Sequence, residues 1–368
     1  MPTETMSPKE RWLAVMQRQL PDRLPMDYWA TPEANDRLMA HLGCADERAL
    51  YDRLHIDRVI TASPTYIGPA VAYGYDIFGC RHQKVDYGGG TYSECVSNPL
   101  AAYNSVQEIK RQYTWPDPDW YDYTAIPQQL EGWQDYPVRG GGSEPFLIYK
   151  KLRGQEQAFI DLIENPEIVH YCLDKLFDLA YENSRRIYEQ IPGQVTLSYI
   201  AEDMGAQEGL MFSLNHIRHF LLPRMQRMIH LAHQADAYAF FHSDGAIREV
   251  LCDMVDLEID LLNPIQWRCK GMERIALKRD FGEHVIFHGG IDNQYTLAFG
   301  SVEQVRQEVR DNLRILGLDG GYILAPCHNI QAISPPENIV ALYETGRDEG
   351  WNSPHALPTK GGAWETDA

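Results

Sequence analysis

None of the seven cysteines (Cys44, Cys80, Cys95, Cys172, Cys252, Cys269 and Cys327) stands in a CxxC pair. An odd, dispersed set in a long chain argues against a disulfide framework and for reduced thiols. No basic run of five or more residues occurs, and 33 Lys and Arg face 52 Asp and Glu, a formal net charge of -19. Such a chain repels polyanions, which excludes nucleic acid and anionic membrane as partners. No apolar stretch approaches the roughly 20 residues of a membrane span, and Met1-Pro2-Thr3-Glu4-Thr5 has no basic segment leading into an apolar core. These absences predict a soluble, cytoplasmic protein. No GxGxxG opens a helix, so the dinucleotide-binding fingerprint is missing too, and no short-period repeat is present.

With 368 residues, 44% of them hydrophobic, the chain is long enough for one large α/β domain or two ordinary ones. Ser7, Pro8 and Glu10 announce a helix through a capping box with proline in the first turn, and Trp12, Val15 and Met16 share one face of it. Strand-like text follows at 24–29 and 57–62, with helical text at 33–42 and 45–54 between them. Gly88-Gly89-Gly90, flanked by Lys84-Val85-Asp86-Tyr87 and Thr91-Tyr92-Ser93-Glu94-Cys95-Val96, has the pattern of a β-hairpin. After the rigid connection Trp115-Pro116-Asp117-Pro118-Asp119-Trp120, strands are expected at 145–149, 194–201, 237–242, 259–263, 284–289 and 321–325, with amphipathic helices between. Ser301 with Gln304 and Ser334 with Glu337 read as further capping boxes, and Gly317 and Gly346 as helix stops. This alternation predicts a parallel sheet with crossover helices, and seven or eight strands in one run favour a single (β/α)8 TIM-type barrel. The expected domain covers 1–349, with an N-terminal helix and the hairpin as an excursion over the barrel mouth, and a loosely ordered tail covers 350–368.

In such a barrel the chemistry sits where the strands finish. Those places read Asp27-Tyr28-Trp29, Glu202-Asp203-Met204-Gly205, His242-Ser243-Asp244-Gly245, Asn263-Pro264-Ile265-Gln266, His288-Gly289-Gly290-Ile291-Asp292 and Cys327-His328-Asn329. Strand ends are wet and turn-rich, but so dense a set of His, Asp, Glu, Gln and Cys exceeds what chance placement gives. His242, Asp244 and Cys327, if they meet at one mouth, are of the types that hold Zn²⁺ with an open position. Each also has a plainer role: His242 as a hydrogen-bonded strand-end histidine, Asp244 as the N-cap of a following helix, Cys327 as a small apolar filler.

Together with Pro99-Leu100-Ala101, Leu152-Arg153-Gly154 and the run 320–331, these strand ends resemble the uroporphyrinogen decarboxylase family, and within it the cobalamin-dependent methyltransferase branch, from Arg11 to about Gly346. The resemblance implies one β/α barrel. The family's decarboxylases hold substrate carboxylates with an Arg-Gln-Ala-Gly-Arg stretch after the first strand, where this chain has Tyr28-Trp29-Ala30-Thr31-Pro32. Burying several carboxylates without charged partners is costly, so uroporphyrinogen is not the expected substrate. The methyltransferases bind Zn²⁺ through His-x-Cys and a later Cys. His242 and Cys327 match those positions, and Asp244 stands where the first Cys would be, as a carboxylate able to ligate zinc in its place.

The resemblance therefore implies a zinc-dependent methyltransferase moving a methyl group between a small substrate or acceptor and a corrinoid (cobalamin) carried by a partner protein. Zn²⁺ would lower the pKa of a bound thiol or oxygen. Glu202 completes or orients the metal shell and Asp203 pairs a substrate donor. Tyr28, Gln266, His288, Asp292, His328 and Asn329 supply substrate-side and supporting contacts. Two other readings stay open: a decarboxylase or lyase acting on a small acid, with Asp203 or Asp244 as general acid, and a metal-free relative that binds a corrinoid or tetrapyrrole without turnover.

Overall fold

The computed structural model describes residues 3–86, 91–317 and 319–351. Eleven strands occur among them: β1 (Ile60–Ala62), β2 (Thr65–Tyr66), β3 (Arg81–Asp86), β4 (Thr91–Ser97), β5 (Tyr121–Asp122), β6 (Val138–Ser143), β7 (Leu197–Ala201), β8 (Tyr238–His242), β9 (Leu261–Asn263), β10 (Ile286–Ile291) and β11 (Tyr322–Pro326). Seven of them form a curled sheet in the order β1-β6-β7-β8-β9-β10-β11. All six neighbouring pairs are parallel, so every strand finishes at the same end. Beyond the edges, the segment around Met26 bonds to both sides. Asp27 N–H donates to Leu324 O (2.9 Å) and Leu324 N–H to Pro25 O (3.0 Å), while Asp57 N–H, just before β1, donates to Met26 O (2.7 Å).

The end where strands begin is closed by apolar side chains. The helix Pro8–Met16 starts with the expected capping box at Ser7 and Glu10. Its Trp12, Val15 and Met16 pack with Leu197, Phe240, Leu261, Ile286 and Ile323, residues on one face of the sheet. A buried ion network fixes the helix there: Arg11 meets Asp22 (2.6 Å) and Asp57 (2.8 Å), and Arg23 also meets Asp57 (2.6 Å). Removing one member of so buried a network costs about 3–5 kcal/mol, because its partners lose their countercharge. With that end plugged, the opposite end is left for polar chemistry. No helix of the described residues is long and apolar enough to cross a membrane.

Several sequence expectations change here. Residues 145–149 are not a strand but open the helix Pro145–Arg153, with Pro145 in its first turn. The strand is Val138–Ser143 instead, whose run of three glycines carries little strand signal. The capping box at Ser334 does not form. Pro335, preceding Pro336, is held in the extended region and takes the N-cap place, so the helix runs Pro336–Glu349. Gly346 lies inside that helix, where a Cβ would come within 2.5 Å of Leu324 and 2.7 Å of Met26; it permits close packing on β11 rather than ending the helix. The hairpin exists as β3 paired with β4, the pair Asp86↔Thr91 innermost. Its turn at 87–90 and the tail from 352 lie outside the described residues.

Candidate active site

Two neighbouring strands end in the central group. The ladder continues past β7 and β8, with Glu202 N–H donating to His242 O (3.0 Å) and Ser243 N–H to Asn263 O (3.0 Å). The following loops are tied together: Met204 N–H donates to Ser243 Oγ (3.0 Å) and Asp244 N–H to Asp203 Oδ1 (3.2 Å). These bonds bring ligand atoms of Asp203, His242 and Asp244 within 4.8 Å of one another. His242 Nε2 lies 3.7 Å from Asp203 Oδ1. Gln266 braces the group by donating Nε2–H to Asp244 Oδ1 (3.0 Å) while its Oε1 accepts from Gly245 N–H (2.6 Å). Asp244 does not cap a helix, since the next helical turn begins only at Arg248.

A buried relay fixes the tautomer of His242. Its Nδ1 meets Asn263 Oδ1 at 2.6 Å; Asn263 Nδ2 meets His288 Nδ1 at 2.7 Å; His288 Nε2 meets Asp27 Oδ2 at 3.0 Å. The Asp27 carboxylate only accepts, so His288 carries its proton on Nε2 and accepts at Nδ1 from the Asn263 amide. Asn263 Oδ1 then accepts from His242 Nδ1–H, which leaves Nε2 free to offer its lone pair toward the two aspartates. This is the form in which histidine ligates a cation or takes up a proton. Asp27 is itself held by Tyr28 N–H (2.8 Å) and Trp29 Nε1–H (2.8 Å). Asn263 and Asp27 carry this arrangement, and sequence reading noted them only as strand-end residues.

Carboxyl groups crowd the site. Glu202, fully buried, is pushed well above the ordinary glutamate range by burial, opposed by the Phe146 N–H bond (2.9 and 3.1 Å to its two oxygens) and by the charge of Lys150. Burial also raises Asp244, assisted by the charge of Asp203 and opposed by His242 and His328. Burial and then Asp203 raise Glu144 in the same way. Glu144 faces the group because of a bulge: Arg139 pairs with Leu197 but Gly142 with Tyr199, so β6 carries one extra residue and the alternation beyond it is inverted. Gly142 (φ +126°) is needed there, because a Cβ would sit 2.0 Å from Tyr199 O.

Cys327 stands apart from the three-residue group. Its buried thiol donates to Ile265 O (3.1 Å), and burial pushes the thiol well above its ordinary range. Asp203 stands beside His242 and Asp244, and Glu202, expected to complete or orient the metal shell, accepts from Phe146 N–H. A cavity of about 460 Å³ opens against the group, with Asp244, Gln266, Asp292, Cys327 and His328 on its wall. Asp292 is paired there with Arg268 (2.6 Å). A second cavity of about 620 Å³ has Asp27, Tyr28, Trp29, Arg139 and Tyr199 on its wall. Asn329 lines both. His288 is wholly buried and serves the relay rather than a ligand.

Residues 84–348 match the family described as Uroporphyrinogen decarboxylase (URO-D). Among curated proteins, the chain is 24% identical over 245 residues to the uroporphyrinogen decarboxylase of Psychromonas ingrahamii (64% of this chain, 60% of that protein). It is 26% identical over 260 residues to that of Pseudoalteromonas translucida (66% and 63%). The chain thus spans about three fifths of the length of these relatives. Among solved structures, a methyltransferase from Methanosarcina mazei superposes with a TM-score of 0.67 at 17% identity, covering 93% of this chain and 99% of that one.

Proposed function

The chain belongs to the uroporphyrinogen decarboxylase family, and from that premise we propose that it is a metal-dependent methyltransferase, moving a methyl group between a small molecule and a corrinoid carried by a partner protein. One observation carries this reading: three ligand atoms from Asp203, His242 and Asp244 converge within 4.8 Å where β7 and β8 end, beside an open cavity. The donors fit a divalent cation, since one neutral imidazole offers its lone pair and two carboxylates offset the charge. Held by these residues, zinc would supply Lewis-acid polarisation of a substrate thiol or oxygen. The rest falls to the chain itself. Asn263 and His288 keep the His242 ring in its ligating tautomer, Gln266 holds Asp244 in place, and the burial that raises Glu202 and Glu144 disfavours two further negative charges beside the site. We also read the segment around Met26 as the eighth stave closing the sheet, because its backbone bonds to both edges.

The names of the curated relatives favour decarboxylation of an acid as the second reading. Against uroporphyrinogen itself stands the stretch Tyr28-Trp29-Ala30-Thr31-Pro32, where the resemblance implies an arginine-bearing stretch in the family's decarboxylases. Metal analysis by mass spectrometry, with methyl transfer from free methylcobalamin to a thiol followed by visible absorbance, separates the two. We expect one zinc per chain and transfer by the wild type, both lost in His242→Ala. A metal-independent protein whose turnover of a small acid is abolished by Asp203→Asn overturns the proposal in favour of decarboxylation.

A further inference from the structure

Arg139 is a cation without a countercharge on the wall of a cavity. It projects from β6 ahead of the bulge, donates from Nη2 to Thr61 Oγ1 (3.1 Å), and places its guanidinium carbon 5.3 Å from the centre of the Tyr199 ring. No carboxylate oxygen of a described residue comes within 4.0 Å of it. The other arginines on the described cavities are all paired: Arg58 with Glu47 (3.1 Å), Arg218 with Asp253 (2.7 Å) and Arg268 with Asp292 (2.6 Å). Other arginines without an ion pair, such as Arg18, Arg48 and Arg274, hydrogen-bond or lie over aromatic rings elsewhere and line none of these cavities. Nor do the acids on its cavities answer it: Glu144, on a further cavity of about 430 Å³ that Arg139 also lines, makes no ion pair with it. Asp27 already accepts from Tyr28, Trp29 and His288, and Glu47 from Arg58, Asn35 and Tyr51.

We propose that Arg139, with the Thr61 hydroxyl, binds the anionic group of a small organic acid, carboxylate or sulfonate, whose other end reaches the His242 group. The guanidinium fork matches two oxygens of such an anion. Tyr199 sets the scale. Its ring centre is 5.4 Å from that of His242, so guanidinium and imidazole lie at most about 11 Å apart, the two ring distances laid end to end. That span suits a molecule of a few bonds between its anion and its reacting atom.

The inference rests on the proposed reaction only for the identity of the reacting end, so the two can fail separately. The test is calorimetric titration of the full zinc-loaded chain with 3-mercaptopropionate and with its neutral amide. The wild type is expected to prefer the carboxylate by about 10- to 100-fold, the range for a hydrogen-bonded charged group. Arg139→Gln should abolish that preference with zinc content unchanged, and Arg139→Lys should keep part of it. Sulfate, at the same ionic strength as a chloride control, should displace the carboxylate and not the amide, which tests the site without any variant. The absence of a preference in the wild type, its survival in Arg139→Gln, or indifference to sulfate overturns the assignment. Loss of methyl transfer in the presence of an intact preference would instead count against the reaction alone.

Discussion

Asn263→Leu tests the relay that orients His242. Leucine matches asparagine in the number and branching of its side-chain heavy atoms but is bulkier, so at this fully buried position some overpacking adds to the cost. Two hydrogen bonds of 2.6 and 2.7 Å disappear, leaving His242 Nδ1–H and His288 Nδ1 unpaired in residues that are 8% and 0% exposed. Each stranded group costs about 1–3 kcal/mol, so the variant should lose roughly 2–6 kcal/mol. With Nδ1 no longer committed to donating, the ring can carry its proton on Nε2, where it repels a cation. Zinc affinity should fall by about 10- to 100-fold, the usual effect of removing the partner of a ligating histidine. Urea unfolding in chelator gives the first quantity, and competition with a zinc-binding dye the second. Asn263→Asp is the control, because a carboxylate still accepts from His242 Nδ1–H and should preserve affinity. A stability loss under about 1 kcal/mol together with zinc affinity within twofold of the wild type would refute the relay.

Three further outcomes are expected. Cys327→Ser should leave zinc stoichiometry unchanged and cost no more than about 1–2 kcal/mol, since the hydroxyl can donate to Ile265 O as the thiol does; loss of metal would return Cys327 to the ligand set. Glu202 binds its proton more tightly folded than unfolded, so between the ordinary glutamate range and its raised folded value the native state holds more protons, and stability falls as pH rises through that window. Glu202→Gln should remove this part of the slope, read from urea midpoints at successive pH values. Gly142→Ala, with a positive φ and Tyr199 O in the way, should destabilise by at least about 2 kcal/mol in thermal or urea melts and disturb the placement of Glu144.

Local signals with a chemical cause were legible in the sequence. The Ser7 and Ser301 capping boxes form as read because each needs only residues three apart. Five of the six strands expected after Trp120 overlap β7 to β11, since continuous apolar runs between turn residues have few other uses. The exception, 145–149, failed because its apolar run follows a glycine-rich strand and opens with a helix-compatible proline.

Reading strand ends also gathered most of the candidate site, because parallel pairing sends every strand finish to one end of the sheet. The partners chosen within that ring were another matter. The chain text names His242, Asp203, Asp244, Cys327 and Asn263 with equal weight. Only the three-dimensional register sends the Cys327 thiol to Ile265 O, sets Asp203 beside His242, and links His242 to Asp27 across 215 positions through Asn263 and His288. A side chain's direction at a loop is set by bonds to residues distant in sequence, and a single extra residue in β6 inverts which groups face inward. Composition and pattern therefore determined the parallel α/β sheet and the end of it where polar groups gather. Tertiary packing decided which of the polar groups there meet one another, because that depends on contacts no local stretch of sequence encodes.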